Sequence, residues 1–131
     1  MQLMENFRDF AAGPDPFGRK WHVQFKFLQT AISIRHSDSV DVRFILTSGE
    51  ETLQKTVVIR NADIRAWGAA HSDRKVSDTW CSRLAVCKIR RSIETAEDLD
   101  NDYLQLTARE MDEFDASIRD WETKWVRHHA A

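Results

Sequence analysis

The sequence predicts an α+β fold: an antiparallel β-meander of three to four strands, packed on one face by helices that include a C-terminal amphipathic one. Three observations carry this. Apolar residues recur with a period of two between residues 21 and 59, and at steps of three and four after residue 61. The links between the strand segments are also too short for the crossovers that parallel strands need. A small half-barrel with the helices at one end is the alternative arrangement.

Taken in order, Met4, Phe7, Phe10 and Ala11 stand three and four apart and predict a short helix within residues 1–12. Gly13, Pro14, Pro16 and Gly18 then interrupt regular structure. Residues 1–18 therefore read as an N-terminal arm or short helix with a linker, and residues 19–131 as a single α+β domain. Trp21, Val23, Phe25 and Phe27 alternate with polar residues and predict a strand with one buried face. Ile32 and Ile34 continue it in the opposite phase, which requires a bulge or turn near Leu28 to Ala31. Val40, Val42, Phe44 and Leu46 form the next strand, Ser48-Gly49-Glu50-Glu51 a hairpin loop, and Leu53 to Ile59 the returning strand.

Asn61 is the expected cap of a helix that carries Ile64 and Trp67 inward and ends by Gly68 and the polar run His71 to Lys75. Ser77 or Asp78 caps a second helix running to about Glu94. Its apolar residues spread over two sides, which predicts a helix wedged between other elements. Tyr103 to Leu106 is a short edge strand. Thr107-Ala108-Arg109-Glu110 then fits a capping box, with Leu106 and Met111 at the positions of a hydrophobic staple. Met111, Phe114, Ile118, Trp121 and Trp125 make one apolar stripe, expected to lie on the sheet with Trp125 partly exposed beside the chain terminus.

Composition bounds the function. The chain has 131 residues, 42% of them hydrophobic, with five tryptophans and seven phenylalanines, which excludes a wholly disordered chain and supplies one core. Cys81 and Cys87 are six apart, neither a zinc pair nor a redox motif, and on one helix they lie about 120° apart around the axis. They read as small buried hydrophobes. No stretch approaches the ~20 apolar residues of a membrane span, and Glu5, Arg8 and Asp9 interrupt any signal-peptide core, so the expected setting is cytoplasmic. Residues 17–94 carry fourteen basic and eight acidic side chains, whereas residues 95–131 carry four and ten. The two parts either attract each other within one fold or leave a basic face for an acidic partner.

No catalytic, cofactor or metal motif emerges. The triplets His36-Ser37-Asp38 and His71-Ser72-Asp73 are turn compositions, because adjacent residues cannot aim their side chains at one another as a triad does. Asp98 to Asp102 resembles the start of a calcium loop, but Tyr103 and Arg109 stand where that loop needs glycine and glutamate. The candidate binding residues are Arg83, Lys88, Arg90 and Arg91 on the second helix, with Arg74 and Lys75 before it, and Trp125 on the last. Arg83 and Arg90 fall about 20° apart around the helix, a spacing suited to a phosphate. Glu94, four residues beyond Arg90, offers an internal partner instead.

The reading that follows is a small cytoplasmic, non-enzymatic protein-interaction module: an adaptor, inhibitor or regulator. Its expected partner is another protein, or a second copy through the C-terminal helix around Trp125. Neither a membrane nor a cofactor is expected. The alternatives are nucleic-acid binding through the basic helix over residues 74–91, and an enzyme whose site is assembled from dispersed residues.

Overall fold

Alternation decides the sheet. In β3 (Ser39–Ser48), Val40, Val42, Phe44 and Leu46 point to one face and are buried, while Asp41, Arg43, Ile45 and Thr47 on the other are only partly covered. β4 (Glu51–Arg60) pairs antiparallel with β3 from Ser48 opposite Glu51 to Ser39 opposite Arg60. Gly49 opens the two-residue turn with φ +59°, the left-handed conformation a type II′ hairpin needs at that place. The computed structural model describes residues 7–31 and 38–129, and the expected continuation through Ile32 and Ile34 lies outside them.

β2 (Trp21–Ala31) buries Trp21 and Val23 against the core, then changes phase at a bulge. Phe25 stands opposite Phe44, but Phe27 stands opposite Arg43, so Lys26 is the extra residue. The bulge therefore falls earlier than residues 28–31. Phe27 is carried to the outer face, and Leu28 takes its place against the core.

β1 (Asp9–Ala12) is an antiparallel edge strand on β2, with Phe10 opposite Val23 and Ala12 opposite Trp21. The expected short helix is thus replaced, in its described part, by a strand; Met4 lies outside the described residues. Phe10 and Ala12 are buried while Asp9 and Ala11 are exposed. The edge of β2 supplies hydrogen-bond partners that an isolated helical turn lacks. β5 (Tyr103–Gln105) lies on the other edge, parallel to β4, with Thr56 opposite Tyr103 and Val58 opposite Gln105. The sheet is open, in the order β1-β2-β3-β4-β5, and its last pair departs from the expected meander.

The helices between β4 and β5 supply the crossover this pair requires. α1 (Asn61–Ala70) begins with Arg60 at the cap position and no side-chain cap. Asn61 does not cap; its N–H donates to the Asp38 carbonyl at 2.9 Å, because the helix starts directly from the strand. α2 (Asp78–Thr95) is capped by Ser77, whose hydroxyl accepts from the Trp80 N–H at 3.2 Å. Residues on nearly every side of α2 are buried, as expected of a wedged helix.

α3 (Ala108–His129) forms the expected capping box. Thr107 Oγ1 accepts from the Glu110 N–H at 3.2 Å, and the Glu110 carboxylate accepts from the Thr107 N–H at 3.1 Å. Leu106 and Met111 are both fully buried. The stripe packs mainly on α1 and α2 rather than on the sheet, since α2 already occupies the sheet's inner face. The indole N–H of Trp67 donates to Asp112 at 2.7 Å and that of Trp80 to Asp115 at 2.9 Å, fastening α3 across both helices.

Candidate functional site

All three helices lie on one side of the sheet, and among the described residues no helix covers the other. Its centre is one in-register row: Phe27 on β2, Arg43 on β3, Thr56 on β4 and Tyr103 on β5. Each reaches this face for its own reason. The bulge at Lys26 turns Phe27 outward, strand alternation places Arg43 and Thr56, and the parallel docking of β5 places Tyr103.

The row is ordered by its own contacts. Arg43 Nε donates to Thr56 Oγ1 at 3.2 Å, and the guanidinium carbon sits 5.1 Å from the centre of the Phe27 ring. Thr56 is buried between its neighbours, whereas Phe27 is 36% exposed and Tyr103 64%. The start of β5 is held from the core side. Lys55, only 2% exposed, donates from Nζ to the Asn101 carbonyl at 2.7 Å, and the Thr56 N–H donates to the Asp102 carbonyl at 2.8 Å. A shallow cavity of about 170 Å³ lies in the row, lined by Arg43, Gln54, Thr56, Asp102 and Tyr103. Flanking rows are Gln24, Ile45 and Gln54 on one side, and Gln29, Asp41, Val58 and Gln105 on the other. The face is thus aromatic, amide and aliphatic, with little net charge.

The residues of the basic helix lie elsewhere and are engaged internally. Lys88 pairs with Glu110 at 2.9 Å, Arg90 with Glu94 at 2.9 Å, and Arg91 with Glu113 at 2.7 Å. Arg74 bonds Asp115 at 2.7 Å and Glu122 at 2.9 Å. The Arg83 guanidinium lies 4.6 Å over the Trp121 ring and 5.6 Å over Phe7, so it serves a stack between helices. Trp125 is 40% exposed at the end of the stripe, with its ring 6.5 Å from that of Trp121. Lys88, Arg90 and Arg91 are thus each engaged by a carboxylate, while Arg83 and Trp125 both border the Trp121 ring.

Cys81, Cys87, His71 and Asp73 are each engaged within the fold. Burial pushes the thiols of Cys81 and Cys87 up to about 12, far from a reactive thiolate. In the second triplet, His71 Nδ1 lies 2.9 Å from the Trp67 carbonyl, and Asp73 bonds Arg119 at 3.1 Å. His36 and Ser37 of the first triplet lie outside the described residues. Burial would raise the pKa of Asp115, but hydrogen bonds from Arg119, Trp80 and Arg74 outweigh it and hold the carboxyl below its ordinary range. Among the described residues, no group of three or more His, Cys, Asp or Glu side chains is placed to hold a metal ion. No helix of the described residues is long and apolar enough to cross a membrane.

The outward row was not legible as a site. Arg43 reads as an ordinary residue alternating with the core positions of its strand, Thr56 as one of the β-branched residues of the returning strand, and Phe27 as core. Tyr103 reads only as the first residue of a short edge strand.

Fold and surface together define a small α+β domain with one sheet face that no helix of the described residues covers. No protein-family model, curated protein or solved structure matches the chain.

Proposed function

We propose that this chain is a non-enzymatic protein-interaction module, an adaptor, inhibitor or regulator, and that it docks its partner on the open sheet face. The observation that carries this reading is the row of Phe27, Arg43, Thr56 and Tyr103, which sets two exposed aromatic rings on either side of an oriented arginine. Aromatic residues and arginine are the types that dominate protein–protein hot spots, and the surrounding glutamines, Ile45 and Val58 suit the weakly charged centre of such an interface.

A nucleic-acid partner has less support. The phosphate backbone is bound by clustered cations, and Lys88, Arg90 and Arg91 of α2 are paired with Glu110, Glu94 and Glu113. An enzyme has less support as well, because the Thr56 hydroxyl in the row's cavity accepts from Arg43 rather than meeting a base. A cytoplasmic setting belongs to the same proposal, in keeping with two unpaired cysteines in the core.

Site-specific photo-crosslinking in the native host tests the reading. A benzophenone amino acid at Gln24 or Gln105, on the open face, should yield a discrete protein adduct that the same probe at Ala69 on α1 does not. Nucleic-acid adducts, or no adduct from either face position, would sink the proposal. A second reading rests on Trp125 and Val126, which are 40% and 56% exposed at the end of α3. Self-association through them predicts that Trp125→Ala lowers the sedimenting mass of a dimeric parent. A monomeric parent rules it out.

A further inference from the structure

The arginines of this fold differ in how they are satisfied. Arg19, Arg74, Arg90, Arg91 and Arg119 each meet an acidic oxygen at 2.6 to 2.9 Å. Arg43 is instead part-buried in the middle of a sheet, oriented by Thr56 Oγ1 on its Nε and by the Phe27 ring. Among the described residues, its two terminal nitrogens have neither a hydrogen-bond acceptor nor an ion-pair partner. A guanidinium fixed through Nε and a ring leaves its outer donors set in position, which is the geometry that grips a planar anion.

We infer that the cavity beside Arg43 binds a carboxylate, presented as an Asp or Glu side chain by an extended segment of the partner polypeptide. This rests on the reading of the open face as a docking surface and names the chemistry that the face selects. Four observations favour a carboxylate. The cavity holds one guanidinium, and the Asp102 carboxylate that also lines it stands 3.8 Å from Lys55 Nζ, so one positive charge is left to meet a single negative charge rather than a phosphate dianion. At about 170 Å³ the cavity is smaller than typical small-molecule pockets but admits one short side chain. The flanking rows place Ile45 on one side and Val58 on the other, where apolar neighbours of that side chain can lie along the face. Tyr103 closes the row as an exposed phenol able to donate to the second carboxylate oxygen.

The test is a titration of the isotope-labelled full chain at low ionic strength with two synthetic peptides, acetyl-Ala-Val-Glu-Val-Ala-amide and its glutamine counterpart. The glutamate peptide should shift the Arg43 Nε–H signal and the amides of Thr56 and Tyr103 at millimolar concentration, with the glutamine peptide about tenfold weaker. Arg43→Gln should abolish the difference, and Arg43→Lys, which keeps the charge but loses the fork, should remove most of it. Equal responses to the two peptides, or a glutamate-specific response that survives Arg43→Gln, overturn the inference. So does inorganic phosphate binding more tightly than the glutamate peptide. A failed titration beside a protein adduct on the open face overturns the carboxylate assignment and spares the docking reading. A specific titration with no adduct overturns docking, and with it the polypeptide as the source of the carboxylate.

Discussion

Replacing Asp115 by alanine should be the most damaging single polar change in the helical layer. The carboxylate is 3% exposed and accepts from three side chains on three different segments: Trp80 Nε1 at 2.9 Å, Arg74 at 2.7 and 3.0 Å, and Arg119 Nε at 2.8 Å. Without it the indole N–H of Trp80, itself buried, has no acceptor, a loss of about 1–3 kcal/mol. Arg74 keeps Glu122 at 2.9 Å and Arg119 keeps Asp73 at 3.1 Å, so together they add about 1 kcal/mol. The expected total is about 3 kcal/mol, at the lower end for breaking a buried ion pair from one side. For a domain of this size that lowers Tm by about 10 °C. Urea unfolding followed by tryptophan fluorescence measures it directly, with an unchanged slope showing that the same surface is exposed. The mechanism also predicts coupling: in a Trp80→Phe background the cost of Asp115→Ala should fall by about 1–2 kcal/mol. A loss below about 1 kcal/mol, or strict additivity of the two changes, would refute the argument that the indole and the carboxylate depend on each other.

Five further outcomes are expected. Thr107→Ala removes the cap of α3 and should cost about 0.5–2 kcal/mol in urea unfolding; equal midpoints would remove the claim. Burial would raise the carboxyl of Asp15, but hydrogen bonds from the Trp21 indole, Arg19 and the Phe17 N–H hold it at about 2 against an ordinary 3.8. A carboxyl lowered on folding stabilises the fold above its unfolded pKa and loses that effect as pH falls towards about 2, so Asp15→Asn should flatten the acid-unfolding curve between about pH 4 and pH 2. The thiols of Cys81 and Cys87 should resist an alkylating reagent at neutral pH and react only as fast as the protein unfolds; rapid labelling of the native chain would contradict their burial. Arg90→Ala breaks an exposed pair and should cost under about 0.5 kcal/mol. Labelled oligonucleotide should not bind the parent at about 50 mM salt, where micromolar, salt-sensitive association would show that the basic helix has a second role.

What could be read ahead of the structure was whatever a single period or a local motif states. The alternation of β3, the Gly49 turn, the Ser77 cap and the Thr107–Glu110 box each depend on residues a few positions apart, and each is present. The misreadings arose where a distant neighbour decides. Phe7 and Phe10 fit a helical spacing, and only the open edge of β2 makes Asp9–Ala12 a strand. Phe27 reads as core until a bulge one residue earlier turns it outward. The C-terminal stripe is real, but which layer it meets depends on α2 having taken the sheet first. The candidate site was least legible of all, because it is a row across four strands whose members are ordinary within each strand.

The parallel pairing of Thr56 with Tyr103 also predicts an order of events in folding. β1 to β4 are joined by connections short enough that each hairpin closes at little entropic cost. β5 meets β4 only after the whole of α1 and α2 has been laid down between them, so its loop-closure entropy is met late, once the helices have collapsed onto the sheet. Mutations in residues 40–59 should then slow folding, while Leu104→Ala should mainly speed unfolding, with a φ-value near zero. The outer row would thus be the last part of the molecule to exist. Tyr103 completes it only when the rest is native, so a surface built this way is displayed by finished protein and withheld by partly folded chains.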